Sequence, residues 1–185
     1  MNVQLPVRLD KAAFLEWVQG REGRYELDRG RVIMMTGGSR AHWRITSNLV
    51  KALDARLDPS KWAVGPEFGI DLDGESIRFP DVVVDVAGGP SKDLTATRPV
   101  LVAEILSPSS ERVDLGDKSA EYLRLPSLAT YLVFAQDEVK AWVWMRGPDG
   151  FSPGPQLLEG NAVVRIEALA VELPLAEVYA RVRMD

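Results

Sequence analysis

One eight-residue stretch limits what this chain can become. Pro99-Val100-Leu101-Val102-Ala103-Glu104-Ile105-Leu106 is aliphatic at nearly every position. Successive strand residues face opposite sides of a sheet. Both sides are apolar here, so the strand is expected to be central and covered on both faces. Such a strand needs a layer of structure on each side, which is the α/β or α+β arrangement of helices flanking a mixed central sheet. Glu104 is the sole ionisable group in the stretch. A buried carboxylate without a partner is costly and tends to protonate. Glu104 is therefore either a structural residue satisfied by an arginine or by backbone amides, or part of a site.

A second strand-like run, Phe79-Pro80-Asp81-Val82-Val83-Val84-Asp85-Val86, repeats the anomaly. Read structurally, Asp81 caps a turn after proline. Asp85 falls on the same face four residues on and reads as a strand-end residue. Glu26, between Tyr25 and Leu27, sits in a third strand-like stretch, where an outward-facing glutamate is common. In Asp114-Leu115-Gly116-Asp117-Lys118-Ser119-Ala120-Glu121-Tyr122, Lys118 shares a helix face with Asp114, Glu121 and Tyr122. Taken alone it reads as a solvated helix lysine.

The remaining pattern supplies the layers. Asp10 caps a predicted helix over residues 11–19. Two short strands around Asp28-Arg29-Gly30 form a predicted hairpin. Ile45, Leu49, Leu53 and Leu57 recur every four residues and predict a helix over 40–57, stopped by Asp58-Pro59. Strands are predicted at 62–64, 67–72, 81–86 and 100–106, a helix at 115–125, and a second hairpin from 130–135 and 139–145. Trp142 and Trp144 share a strand face and read as core or subunit contact. A Gly/Pro-rich loop follows Gly147, and the tail carries a short strand from Val163 and a helix near 175–182. The expectation is a single domain over 1–185, with a motif-bearing core at about 25–145 and a strand–helix appendage at about 160–185.

Composition removes several function classes. There is no cysteine, which excludes a disulfide scaffold, a zinc–thiolate site, an iron–sulfur cluster and a cysteine nucleophile. His42 is the single histidine, so a multi-histidine metal cage is excluded. A serine–histidine–acid triad would have to use His42, and no Gly-x-Ser-x-Gly elbow accompanies it. Lys and Arg number 22 against 27 Asp and Glu, a formal charge of −5, which excludes a generally basic coat for nucleic acid. It leaves room for a nuclease, whose carboxylates themselves add negative charge. No basic segment followed by an apolar run opens the chain, and the longest apolar runs, 131–135 and 141–145, fall far short of the roughly 20 residues of a membrane span. A cytoplasmic protein without membrane partners is expected.

Several of these pieces occur in a known order. Pro80-Asp81 followed by Glu104 in an apolar strand resembles the PD-(D/E)XK nuclease superfamily. That pattern places a lysine two residues after the glutamate, and Leu106 stands there instead. The wider set resembles one branch, the Uma family of restriction endonucleases. It comprises Tyr25-Glu26-Leu27 with Gly30 and Met35, His42 entering a long helix, Pro80-Asp81-Val82, Glu104-Ile105-Leu106-Ser107-Pro108-Ser109-Ser110, Asp114 with Lys118 and Tyr122, and Tyr131-Leu132-Val133. In that branch the lysine is carried by the following helix, and Lys118 is the matching position.

The resemblance implies a restriction-endonuclease-like core and hydrolysis of DNA phosphodiester bonds with Mg²⁺, for which Mn²⁺ can substitute. Asp81 and Glu104 would hold the metal, Ile105 would add its carbonyl, and Glu26 is a further candidate ligand. Lys118 would orient the attacking water or offset transition-state charge. Substrate contacts would come from Arg40, His42, Arg44 and Ser107, with backbone amides of Gly37-Gly38-Ser39 available to a phosphate. Arg40, Arg44 and Lys51 read structurally as a solvated helix face, and Ser107 as a turn cap. Nucleic acid, DNA first, is the expected partner, and a homodimer or higher homo-oligomer is the simplest way to cut both strands. The competing reading is a catalytically weak or inactive module of the same fold that binds nucleic acid or a partner protein.

Overall fold

The computed structural model of the chain describes residues 3–35, 37–106 and 113–184. The first half runs β1 (Val3–Arg8), α1 (Lys11–Val18), β2 (Arg24–Asp28), β3 (Arg31–Met35), α2 (Arg40–Asp54), β4 (Trp62–Gly65), β5 (Ile70–Leu72), β6 (Ser76–Arg78), β7 (Val82–Val86) and β8 (Leu101–Ile105). A π-helical turn, Val113–Asp117, leads into α3 (Lys118–Tyr122). Then come β9 (Thr130–Phe134), β10 (Lys140–Gly147), β11 (Gly150–Phe151), β12 (Gln156–Glu159), β13 (Val163–Ile166), a 3-10 turn at Glu167–Leu169, β14 (Val171–Pro174) and α4 (Leu175–Val178).

The central sheet has the order β11-β10-β9-β8-β7-β4, with β12 also paired to β10. It is mixed, as the sequence predicts: β8 lies parallel to β9 and antiparallel to β7. All five residues of β8 are buried, in accord with a strand covered on both faces. One face of the sheet, with Val82, Val84, Leu101, Ala103 and Leu132, packs on the Ile45, Leu49 and Leu53 stripe of α2. Val164, Leu173 and Val178 of the C-terminal segment enter the same core. The other face, with Val83, Val102, Tyr131, Val133 and Trp144, packs on Ile70, Leu72, Tyr122 and Leu128. Trp144 is buried against Tyr131, while Trp142 is half-buried beneath the Lys140 ammonium.

A second sheet, β1-β3-β2-β6-β5, packs Leu27, Val32 and Ile77 against Phe14 of α1. Its β2–β3 turn has two central residues, Arg29 and Gly30, both at positive φ (49° and 75°). That is the two-residue hairpin geometry whose twist matches the flanking strands. Two caps set the helix starts: Asp10 Oδ1 accepts from Ala13 N at 2.8 Å, and Ser39 Oγ accepts from His42 N at 3.1 Å.

Several boundaries differ from the sequence reading. The strand at 67–72 begins only at Ile70, because Glu67 lies in a bend at positive φ and Gly69 makes an isolated bridge to Thr95. The helix at 115–125 is α-helical only over Lys118–Tyr122. The helix at 40–57 stops at Asp54, and that at 175–182 at Val178. β1, β6, β11, β12 and β14 are additional to the elements read from sequence.

Candidate active site

Asp81 immediately precedes β7 and Glu104 lies in β8. The antiparallel register pairs Val82 with Ala103. One residue further it sets Asp81 opposite Glu104, so both side chains leave the same sheet face. Asp81 Oδ2 accepts from Ile105 N at 2.8 Å and lies 3.0 Å from His42 Nε2 on α2. Arg24 reaches within 3.9 Å of the other oxygen, Oδ1. Gly38 gives the histidine its room: a Cβ there would stand 2.7 Å from the His42 Nδ1.

Glu104 is 4 % exposed. Its Oε1 accepts from Lys118 Nζ at 3.1 Å and from the Tyr122 hydroxyl at 3.1 Å. Both donors come from α3, one helical turn apart, which brings them onto one face. Burial, followed by the neighbouring Glu104 and Glu26 charges, holds the Tyr122 phenol well above its usual range. Tyr122 therefore stays protonated and acts as a donor.

Glu26, in β2, stands behind this pair. Its Oε1 accepts from Phe79 N at 3.1 Å and lies 3.8 Å from Lys118 Nζ. Its Oε2 meets Arg78 at 3.4 Å. Arg78 is the cross-strand neighbour of Glu26, since β2 and β6 pair at Leu27 and Ile77. The Arg78 guanidinium is 4 % exposed and also binds Asp28 at 3.0 Å and Glu121 at 3.0 Å. Burial opposes its charge, but Glu26, Glu121 and Asp28 outweigh that and raise it above the ordinary arginine value.

Glu26, Asp81, Glu104 and Lys118 thus share one buried cluster, to which His42 and the Ile105 backbone are joined. Mutual repulsion among the three carboxylates is offset by Arg78, Lys118 and Arg24. Arg40 and Arg44 lie elsewhere, on a cleft at the other side of the α2 N-terminus. Ser107 falls outside the described residues. Asp85 is a loop anchor, accepting from Thr97 N at 2.8 Å and Arg98 N at 2.7 Å. Arg78 and Arg24 were not singled out from sequence. Arg78 could have been found, because Asp73-Gly74 between two short alternating runs is a hairpin signal that places Ser76–Arg78 in a strand.

Among the described residues, no group of three or more His, Cys, Asp or Glu side chains gathers in a metal-holding arrangement. The donors suited to a cation are the Asp81 and Glu104 carboxylates and the Ile105 carbonyl. All are oxygen, the chemistry a hard divalent cation prefers. Among the described residues no helix is long and apolar enough to cross a membrane.

The mixed sheet and its flanking helices have a solved counterpart. The fold is that of "a putative nuclease belonging to DUF820" from Anabaena variabilis, with a TM-score of 0.75 at 16% identity over 93% of this chain and 98% of that one. The chain belongs to the Uma2 family, described as "Putative restriction endonuclease", whose model matches residues 12–176. It is also 29% identical over 146 residues to the uncharacterized protein slr1290 of Synechocystis sp., covering 77% of each chain. A second uncharacterized Synechocystis protein, sll1609, is 29% identical over 137 residues, covering 69% of this chain and 75% of that one.

Proposed function

We propose that the chain is a Mg²⁺-dependent endonuclease hydrolysing DNA phosphodiester bonds at the Asp81–Glu104 cluster. The observation that carries this reading is the register of β7 and β8, which sets two buried carboxylates opposite one another, with a lysine bonded to one of them. Asp81, Glu104 and the Ile105 carbonyl would hold the cation, with Mn²⁺ able to substitute. When bound, the cation supplies positive charge to a phosphoryl oxygen and acidifies a coordinated water.

The chain's own residues do the rest. His42 and the Ile105 amide fix the Asp81 carboxylate. Tyr122 fixes Glu104. Lys118 holds a positive charge beside Glu104, where it can donate to an attacking water or to a phosphoryl oxygen as charge builds there. Glu26, anchored by Arg78 and Phe79 N, keeps the Lys118 ammonium from turning away. Cutting both strands would use two chains about a two-fold axis.

One observation favours a second reading, a binding module with little or no cleavage: each carboxylate already has a cationic neighbour. Cleavage of a plasmid and of a circular single-stranded DNA with Mg²⁺, Mn²⁺ or EDTA, run beside thermal melts, separates the two. The nuclease reading expects nicking with either metal, a metal-dependent rise in midpoint, and loss of both in Glu104→Gln. A wild-type protein that neither cuts nor gains stability with either metal would establish the binding module.

A further inference from the structure

Across the α2 N-terminus from the cluster lies a cleft of about 710 Å³ between the start of α2, the β9–β10 turn and the C-terminal segment. Its walls carry Arg40, Arg44, Arg181 and Arg183 against a single acid, Asp137. Four cations and one anion give a local charge of 4 − 1 = +3 on a chain whose formal net charge is −5. Among the described residues, none of the four arginines has a carboxylate within ion-pairing distance. Arg181 also holds a left-handed backbone, φ 62°, where glycine or asparagine is the cheaper choice.

Trp43 adjoins the cleft. It is 56 % exposed, the most exposed of the large apolar side chains, and the Arg44 guanidinium lies 4.8 Å from its ring centroid. Helical geometry relates these groups to the cluster. At about 100° per residue, Trp43 stands between His42, which faces Asp81, and Arg40 and Arg44, which face the cleft. A strand passing from Asp81 around the first turn of α2 would meet the indole and then the four arginines.

We propose that this cleft is a single-strand nucleic-acid track. The arginines take successive phosphates, and Trp43 stacks on an unpaired base next to the cut. The substrate is then a single strand, or a duplex with an unpaired flank, rather than continuous duplex. The inference rests on the nuclease reading for its link to cleavage, but the binding it describes does not require cleavage. A basic groove joined to an exposed aromatic ring is the usual means of holding single strands, because stacking needs a base already free of its neighbours. An acidic protein segment would match the arginines but would give the indole no flat partner.

The test is fluorescence anisotropy of a labelled 20-nucleotide single strand, and of the same sequence as blunt duplex, with the full chain in EDTA at several salt concentrations. The single strand should bind at least about 10-fold more tightly than the duplex. Arg181→Ala/Arg183→Ala should weaken single-strand binding about 10-fold or more and reduce the salt slope by roughly 1.4, two lost phosphate contacts. Trp43→Ala should lose about 10-fold and Trp43→Phe much less, since a ring remains. Arg165→Ala, a surface cation paired with Glu172 on the β13–β14 hairpin, should bind as wild type. Equal affinity for duplex, or arginine variants that bind unchanged, would overturn the track. So would polyglutamate competing as well as the oligonucleotide, which would mark a protein partner. Wild type that binds as described yet cuts nothing with metal would overturn the nuclease reading and leave the track standing.

Discussion

Lys118 is the residue on which the proposed chemistry turns. A lysine two positions after Glu104 would leave the same strand on the same face, but that position holds Leu106, which is buried in the apolar core. The ammonium arrives instead from α3 and meets Glu104 at 3.1 Å. Its long stem allows this, and the Tyr122 bond on the same oxygen fixes the carboxylate it meets. Lys118→Ala is expected to reduce cleavage by roughly 10²-fold or more, about 2.7 kcal/mol of transition-state stabilisation. Lys118→Arg should not restore the rate, because a planar guanidinium has a different shape and does not give up its proton. Single-turnover cleavage, with folding checked by circular dichroism, makes the measurement. An alanine variant that cuts at the wild-type rate would remove Lys118 from the mechanism.

At the scale of elements, β6 ties the small sheet to α3. Arg78 faces Glu26 across the β2–β6 pair and reaches Glu121 on α3, so one guanidinium joins the small sheet to the helix that carries Lys118. Removing one member of a buried ion pair leaves an uncompensated charge and costs about 3–5 kcal/mol. Arg78→Met should lose about that much in urea denaturation, and Arg78→Met/Glu26→Gln should recover a substantial part of it. A single variant as stable as wild type would show that the ion pairs of Arg78 contribute no net stability. The legibility of these elements follows their pattern. β7, β8 and β9 were readable because long β-branched runs occur only where both faces are covered, and α2 because its leucine stripe repeats every four residues. β6 was not readable: three residues are too few for a period, and its arginine looks like a surface residue until its three carboxylate partners, distant in sequence, are known. Asp81 and Glu104 were legible as charges in unusual places, and Lys118 only through the family resemblance, because alone it reads as a solvated helix lysine. The cleft was not, because Arg181 and Arg183 lie about 140 residues from the arginines of α2, as the numbering of the lining residues shows.

Across the whole molecule, the two faces of the central sheet are each closed by a buried phenol. Tyr122 lies in the core on the cluster side. On the opposite side, the Tyr179 hydroxyl lies 2.7 Å from the Ala135 carbonyl and 2.6 Å from that of Lys140, tying the C-terminal segment to the β9–β10 turn. Burial raises both phenols above the usual value of 10.0, reinforced by Glu104 and Glu26 at Tyr122 and by Glu138 and Asp137 at Tyr179. The sign of the effect follows from proton binding. Above about pH 10 the unfolded chain releases these protons while the folded chain retains them. Their contribution to stability is therefore fully present below about pH 10 and is lost as the pH climbs from there towards the raised values. The thermal midpoint is expected to fall steeply between about pH 10 and 12. Tyr179→Phe should begin from a lower midpoint at pH 8, having lost the tie to the turn, and then fall less steeply. Melts across that range read both changes, and a variant whose alkaline slope matched wild type would show that Tyr179 is not a source of the loss.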